Sequence, residues 1–220
     1  MNTVSGSVGG MSNAAEVSPF ANPPAAIDRN PPYKRIATEE AWSIPEIPAA
    51  QLDLLGSACP PDDASLRMAA MFARLSALQE ELCDIGEGRI ARMDALGIDR
   101  QLLLLTAPGV QVLERSVGTG LAALSNDRLA EACRKYPDRF SGLLAFAPQD
   151  VPNAVREIER GMTKLGMAGA VLNSHTKGRY LDEPQFWPIL EALEAMDAAL
   201  YIHPTTPPTS WVKPYEDRAF

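Results

Sequence analysis

The stretch RQLLLLTAPG, Arg100–Gly109, holds four leucines in a row and is stopped by Pro108-Gly109. An apolar run this short, with no polar alternation, suits a strand covered on both faces, as in a parallel sheet. The same rhythm extends in both directions. Upstream, residues 64–98 recur in apolar character at three and four, which predicts helix with a break near Gly86–Gly88. Before that, residues 43–63 are rich in proline and read as a loop with one helical turn, and YKRIATEEAW (33–42) reads as a first strand. Downstream, helix is predicted over 116–136 and stopped by Pro137; RFSGLLAFAP (139–148) is a strand. Helix follows over 150–166, with Asp150 as N-cap and Gly166 past the end. MAGAVLNSH (167–175) is a strand, 182–197 a helix with an acidic start, and AALYIHP (198–204) a fifth strand. Strict alternation of strand and helix predicts an α/β fold with a parallel sheet and right-handed crossovers. It leaves two architectures, an open doubly wound sheet or part of a (β/α)8 barrel. No glycine-rich phosphate loop follows the first strand, which counts against dinucleotide binding.

Composition narrows the class. The 220 residues carry 46% hydrophobic residues and a net charge of −8, without a basic cluster. That excludes a nucleic-acid or anionic-membrane partner and favours small-molecule chemistry. No apolar run is long enough to cross a bilayer. The three cysteines, Cys59, Cys83 and Cys133, match no zinc spacing and read as free thiols in a reducing, cytoplasmic setting. Residues 1–32 are rich in Gly, Ser, Asn, Ala and Pro and read as a disordered leader, with Met11 a second possible start; 33–220 reads as one domain.

In either architecture, chemistry gathers at the C-terminal ends of the strands. The strand ends supply Glu39 and Glu40, Thr106, Pro148 with Gln149, Asn173 with His175, and His203. The chain has two histidines, and both lie in this set. A neutral imidazole and a carboxylate, His203 and Glu39, form part of a coordination shell for a divalent ion, although each could equally be a bonded or solvated side chain. Ser174 and His175 are neighbours on a strand and point to opposite faces, which argues against a nucleophile–base pair.

The stretches RIATEEAW, GEGRIARMDALGID, SNDRLAEACRKYPDRFSGLLAFAPQD and ALYIHP together resemble the amidohydrolase-related family of nonoxidative aromatic acid decarboxylases. The nearer subgroup is the 5-carboxyvanillate decarboxylases, and the gamma-resorcylate decarboxylases are more distant. The resemblance runs from Tyr33 to Trp211. It implies the first five βα units of an amidohydrolase-type (β/α)8 TIM barrel and one divalent metal ion, manganese or zinc. It also implies a hydroxylated aromatic carboxylate as substrate and a homo-oligomer in the intact family. Glu39 then matches the first-strand metal ligand and His203 the fifth-strand ligand. Ala41 stands where many amidohydrolases carry a second first-strand ligand, as in the carboxyvanillate-type subgroup. Arg74 falls where that subgroup binds the substrate carboxylate, against the alternative of a solvated helix arginine, and Asn173 and His175 would either line the same pocket or stabilise loops. The family's sixth-strand histidine and its eighth-strand aspartate, the proton donor, have no counterpart before Phe220. A full barrel takes about 250 residues, so the expectation is a C-terminally truncated barrel without turnover of its own. Two other expectations stand beside the decarboxylase: a hydrolase of an amide or lactone in the same superfamily, and a non-catalytic gene fragment.

Overall fold

The computed structural model describes residues 32–57, 64–208 and 211–212. The leader read over 1–32, the alternative start at Met11 and Cys59 lie outside the described residues, apart from Pro32.

Five strands form one parallel sheet: β1 (Ile36–Trp42), β2 (Arg100–Leu105), β3 (Phe140–Ala145), β4 (Gly169–Asn173) and β7 (Leu200–His203). Their spatial order, β1-β2-β3-β4-β7, is their order along the chain, and every pairing is parallel. A doubly wound sheet reverses order at a switch point; this sheet does not. It is a curled arc, the N-terminal side of a (β/α)8 barrel. The leucine run behaves as its pattern requires. Leu103, Leu104 and Leu105 are neighbours that point alternately to the two faces, and all three are buried.

The convex face is packed by helices α5 (Arg115–Lys135) and α6 (Val151–Arg160). Gly142 on β3 leaves the space that Leu129 of α5 fills; a Cβ there would sit 2.7 Å from that side chain. Gly161, which opens a π-helical turn after α6, does the same for Leu144. The two edge strands are less covered, with Ile36 54% and Ile202 58% exposed.

Several local features differ from the sequence reading. The proline-rich loop contains a full helix, α1 (Glu46–Leu55). Pro45 precedes it and Pro48 lies in its first turn, where the missing N–H costs no intrahelical bond. Burial of Ile47 and Gln51 on its inner side then holds it. The long helix is three helices: α2 (Ala64–Ala73), α3 (Ser76–Cys83) and α4 (Glu87–Leu96). The break at Gly86 is as expected. A second break, at Arg74–Leu75, follows from Leu75 being extended (φ −91, ψ 90). The fourth strand ends at Asn173. His175–Thr176 forms β5, which pairs antiparallel with β6 (Arg179–Tyr180) across Lys177 and Gly178, both with positive φ, as a two-residue hairpin turn requires. Asp150 precedes α6 but makes no capping bond. Its carboxylate accepts from Arg115 (2.7 Å), Thr119 (3.1 Å) and Asn153 (2.6 Å) and so joins the starts of α5 and α6. Between β6 and β7 lies α7 (Trp187–Ala195).

Candidate functional site

A bulge decides which way Glu39 points. Ala37 stands beside Gln101 and Glu40 beside Leu103, so Thr38 and Glu39 share one position opposite Leu102. Side chains in register on adjacent parallel strands share a face. With regular alternation Glu39 would follow Ala37 to the Gln101 side. The extra residue turns it to the concave face, a use of bulges typical of functional rims. Glu40 takes the other face and accepts from Gln101 Nε2 at 2.9 Å. The end of β1 is fixed by buried Arg89 of α4, whose guanidinium donates to the carbonyls of Ala41 (2.9 Å) and Asp84 (2.7 Å). Desolvation lowers the Arg89 pKa from its ordinary value, and the nearby Glu40 charge opposes that.

On the concave face the two edge strands meet through side chains. His203 Nε2 lies 3.1 Å from Glu39 Oε1. The other oxygen, Glu39 Oε2, accepts from the Tyr201 hydroxyl at 2.6 Å. That contact raises the Tyr201 pKa, since losing the proton would set two negative charges together. The other ring nitrogen, His203 Nδ1, lies 2.6 Å from the carbonyl of Pro204. A carbonyl only accepts, so Nδ1 carries the proton and Nε2 is left facing the carboxylate. At this separation Nε2 and Oε1 can hold between them either a proton, with the ring charged, or a cation, with the ring neutral. Glu39 is 52% exposed and His203 22%.

The donor set therefore suits a divalent ion: one imidazole nitrogen and one carboxylate oxygen, each with its second atom already committed. It is a partial set. Among the described residues no group of three or more His, Cys, Asp or Glu gathers to hold a metal. Ala41 lines an apolar cavity of about 260 Å³ with Ile47, Phe72, Leu82 and Thr106, and offers no second ligand on β1.

The remaining sequence-predicted residues lie around these two. Arg74 is exposed in the turn between α2 and α3, two residues after cavity-lining Phe72. Asn173 and His175 are buried and fasten loops. Asn173 Nδ2 donates to Pro108 O at 2.9 Å, and its Oδ1 is buried without a partner. Gln111 Nε2 donates to the carbonyls of Asn173 and His175 and to the Thr176 hydroxyl. His175 uses both ring nitrogens, toward Thr206 O (2.7 Å) and Gly178 N (3.2 Å). Ser174 is part of the same fastening, since its Oγ accepts from Thr205 N at 3.2 Å. Sequence reasoning missed Tyr201. Its position two residues before His203 on a strand was the available signal, because i and i+2 share a face.

A sequential parallel arc with its polar residues at the C-terminal strand ends is the architecture of a (β/α)8 barrel, and its carboxylate–imidazole pair offers donors of the kind that hold a divalent ion. The chain belongs to the Amidohydrolase family, which residues 39–217 match. It is 37% identical over 150 residues to gamma-resorcylate decarboxylase of Polaromonas sp. (strain JS666), a match covering 65% of this chain and 46% of that protein. The fold is similar to 5-carboxyvanillate decarboxylase from Novosphingobium aromaticivorans, solved with manganese and 4-hydroxy-3-methoxy-5-nitrobenzoic acid. That likeness has a TM-score of 0.77 and 47% identity over 83% of this chain and 53% of that one. Dihydroxybenzoic acid decarboxylase from Polaromonas sp. JS666, solved with manganese and the inhibitor 2-nitroresorcinol, gives a TM-score of 0.64 and 32% identity over 84% and 54%. The chain thus spans about half the length of the relatives it matches.

Proposed function

We propose that this chain carries the metal-binding side of a carboxy-lyase that decarboxylates a hydroxylated aromatic acid. The observation that carries the reading is the convergence of Glu39 Oε1 and His203 Nε2 at 3.1 Å from the two edges of the arc. The decarboxylase relatives support it, two of them solved with manganese. The ion, manganese or zinc, would supply charge stabilisation and orientation for a bound carboxylate and its neighbouring phenolic oxygen. Glu39 and His203 hold it from one side, and Ala41 limits β1 to one ligand. The apolar cavity beside Ala41 receives the flat ring and excludes water from it. Arg74, at the turn beside that cavity, pairs with the substrate carboxylate, while Asn173 and His175 shape the adjoining wall.

Two protein ligands fall short of the three typical of a catalytic site, and the described residues offer no acid placed to protonate the ring. Turnover therefore requires the portion of the relatives' length that this chain does not span. A reducing cytoplasm suits the free thiols Cys83 and Cys133, and assembly as a homo-oligomer belongs to the same proposal.

The test is CO2 release from 5-carboxyvanillate and 2,6-dihydroxybenzoate with added Mn²⁺. The 220-residue chain alone is expected to release none. Mixed with, or fused to, the C-terminal half of the Novosphingobium relative, it is expected to release CO2. That activity should vanish with Glu39→Gln or His203→Ala and fall sharply with Arg74→Ala. A complemented enzyme that keeps its activity after Glu39→Gln would overturn the assignment.

A further inference from the structure

The chain has two histidines, and their rings are used in opposite ways. His203 leaves a nitrogen facing Glu39; His175 leaves none. A backbone N–H can only donate, so the 3.2 Å contact from Gly178 makes His175 Nδ1 the acceptor. The ring proton of neutral His175 then sits on Nε2 and points at the Thr206 carbonyl, 2.7 Å away. Ser65 Oγ reaches the same carbonyl at 3.2 Å. One residue back, Thr205 N–H donates to Ser174 Oγ at 3.2 Å, and Ser174 N–H donates to the His203 carbonyl at 2.8 Å. The segment after β7 is thus stitched down at 203, 205 and 206.

The residue between those stitches is Pro204, whose carbonyl receives His203 Nδ1–H at 2.6 Å. That bond places the imidazole proton on Nδ1 and leaves Nε2 for a ligand. The Pro204 carbonyl shares a peptide unit with Thr205 N, so it cannot swing away while Thr205 and Thr206 are held. We propose that His175 is a positioning residue for the His203 imidazole. By clamping Thr206 it fixes the Pro204 carbonyl, and through it the orientation in which His203 meets the metal. The metal part of this inference rests on the reading of Glu39 and His203 as ligands.

The closing experiment has a metal-free arm and a metal arm, both on the full chain. In the metal-free arm, ¹⁵N spectra of the imidazoles report the proton on His203 Nδ1. It is expected to be protected from exchange in the wild type. It should be lost to fast exchange in His175→Phe, and in His175→Phe combined with Ser174→Ala. His175→Gln, whose amide can still donate to Thr206 O, should restore it. In the metal arm, Mn²⁺ affinity is read by electron paramagnetic resonance. His175→Phe should weaken it by about 10–100-fold, the usual cost of losing an outer-shell partner, and His175→Gln should recover most of the loss. A merely structural role would lower the unfolding temperature and leave both readouts of the folded fraction unchanged. A double variant that keeps the protected Nδ1 proton overturns the clamp, as does a folded His175→Gln protein that has lost it. A wild type that shows the protected proton but binds no Mn²⁺, either alone or complemented by the C-terminal half of the Novosphingobium relative, refutes the metal reading instead, so the two failures are told apart.

Discussion

Gly169→Ala tests whether the β4–β7 pairing sets the position of His203. Gly169 opens β4, and a Cβ built on it would lie 2.6 Å from the backbone oxygen of Ala199 and 3.2 Å from a Leu143 methyl. The oxygen cannot rotate away, because it accepts from Ala170 N at 2.8 Å in the first rung joining β4 to β7. Relief needs β7 to move outward by about half an ångström, or that rung to break. Overpacking of this kind costs about 1–3 kcal/mol, and φ of +157 adds about 1 kcal/mol of backbone strain for a residue with a side chain. For a domain of this size 1 kcal/mol moves the unfolding midpoint by about 2–4 °C, so the combined cost of about 2–4 kcal/mol should lower it by about 4–16 °C. Because β7 ends in His203, Mn²⁺ affinity should fall in the same variant. Gly120→Ala is the matched control. It lies within α5 and is exposed, with nothing within 4 Å of its added methyl. The same chemical change there should raise stability by about 1 kcal/mol through helix propensity. Thermal unfolding followed by circular dichroism reads both. A Gly169→Ala protein melting within a degree of the wild type would refute the steric argument.

Two further expectations concern ionisable groups away from Glu39 and His203. The Arg115 guanidinium, with Asn153 and Thr119, holds the Asp150 carboxyl well below the usual carboxylate range, against the opposing effect of its burial. A depressed folded pKa adds stability that is fully present above the unfolded value of about 3.9 and lost as pH falls through the folded one. Asp150→Asn should therefore be less stable by about 1–2 kcal/mol at neutral pH. The gap should stay constant down to about pH 5 and narrow below about pH 4; urea titrations at pH 7 and pH 3 that show the same gap would contradict this. Burial pushes the Cys133 thiol up to about 11, against the weaker opposing pull of Arg100 and Arg134. Its alkylation by iodoacetamide at pH 8 should be roughly two orders of magnitude slower than that of a free thiol, as read by mass spectrometry of the intact folded chain.

Much of the fold was legible in the chain because it is written in local terms. Length, apolar density and stop signals mark the leucine run at 102–105, the SGLLA stretch and the LYIH stretch as strands, and alternation with helices makes the sheet parallel. The strand ends then nominate Glu39 and His203 without any coordinates. What stayed hidden depends on partners far along the sequence. The proline-rich segment before α2 is helical because Ile47 and Gln51 are buried, and no local propensity reports that.

The direction of Glu39 is the sharpest case. An alternating strand would have turned it toward Gln101, and the bulge opposite Leu102 turns it toward His203. The choice is made by the register between β1 and β2, which only the assembled sheet supplies. The different parts played by the two histidines were likewise undecided by residue type or position. Both end strands and both carry a titratable ring. His175 is consumed because Gly178 and Thr206 fold onto its two nitrogens, whereas His203 keeps one nitrogen because only Pro204 reaches the other. The sequence by itself determined which residues stand at the functional rim, since that follows from strand length and termination. Tertiary structure alone decided which of them present a free atom to a ligand, since that depends on hydrogen bonds between residues brought together by curling the sheet.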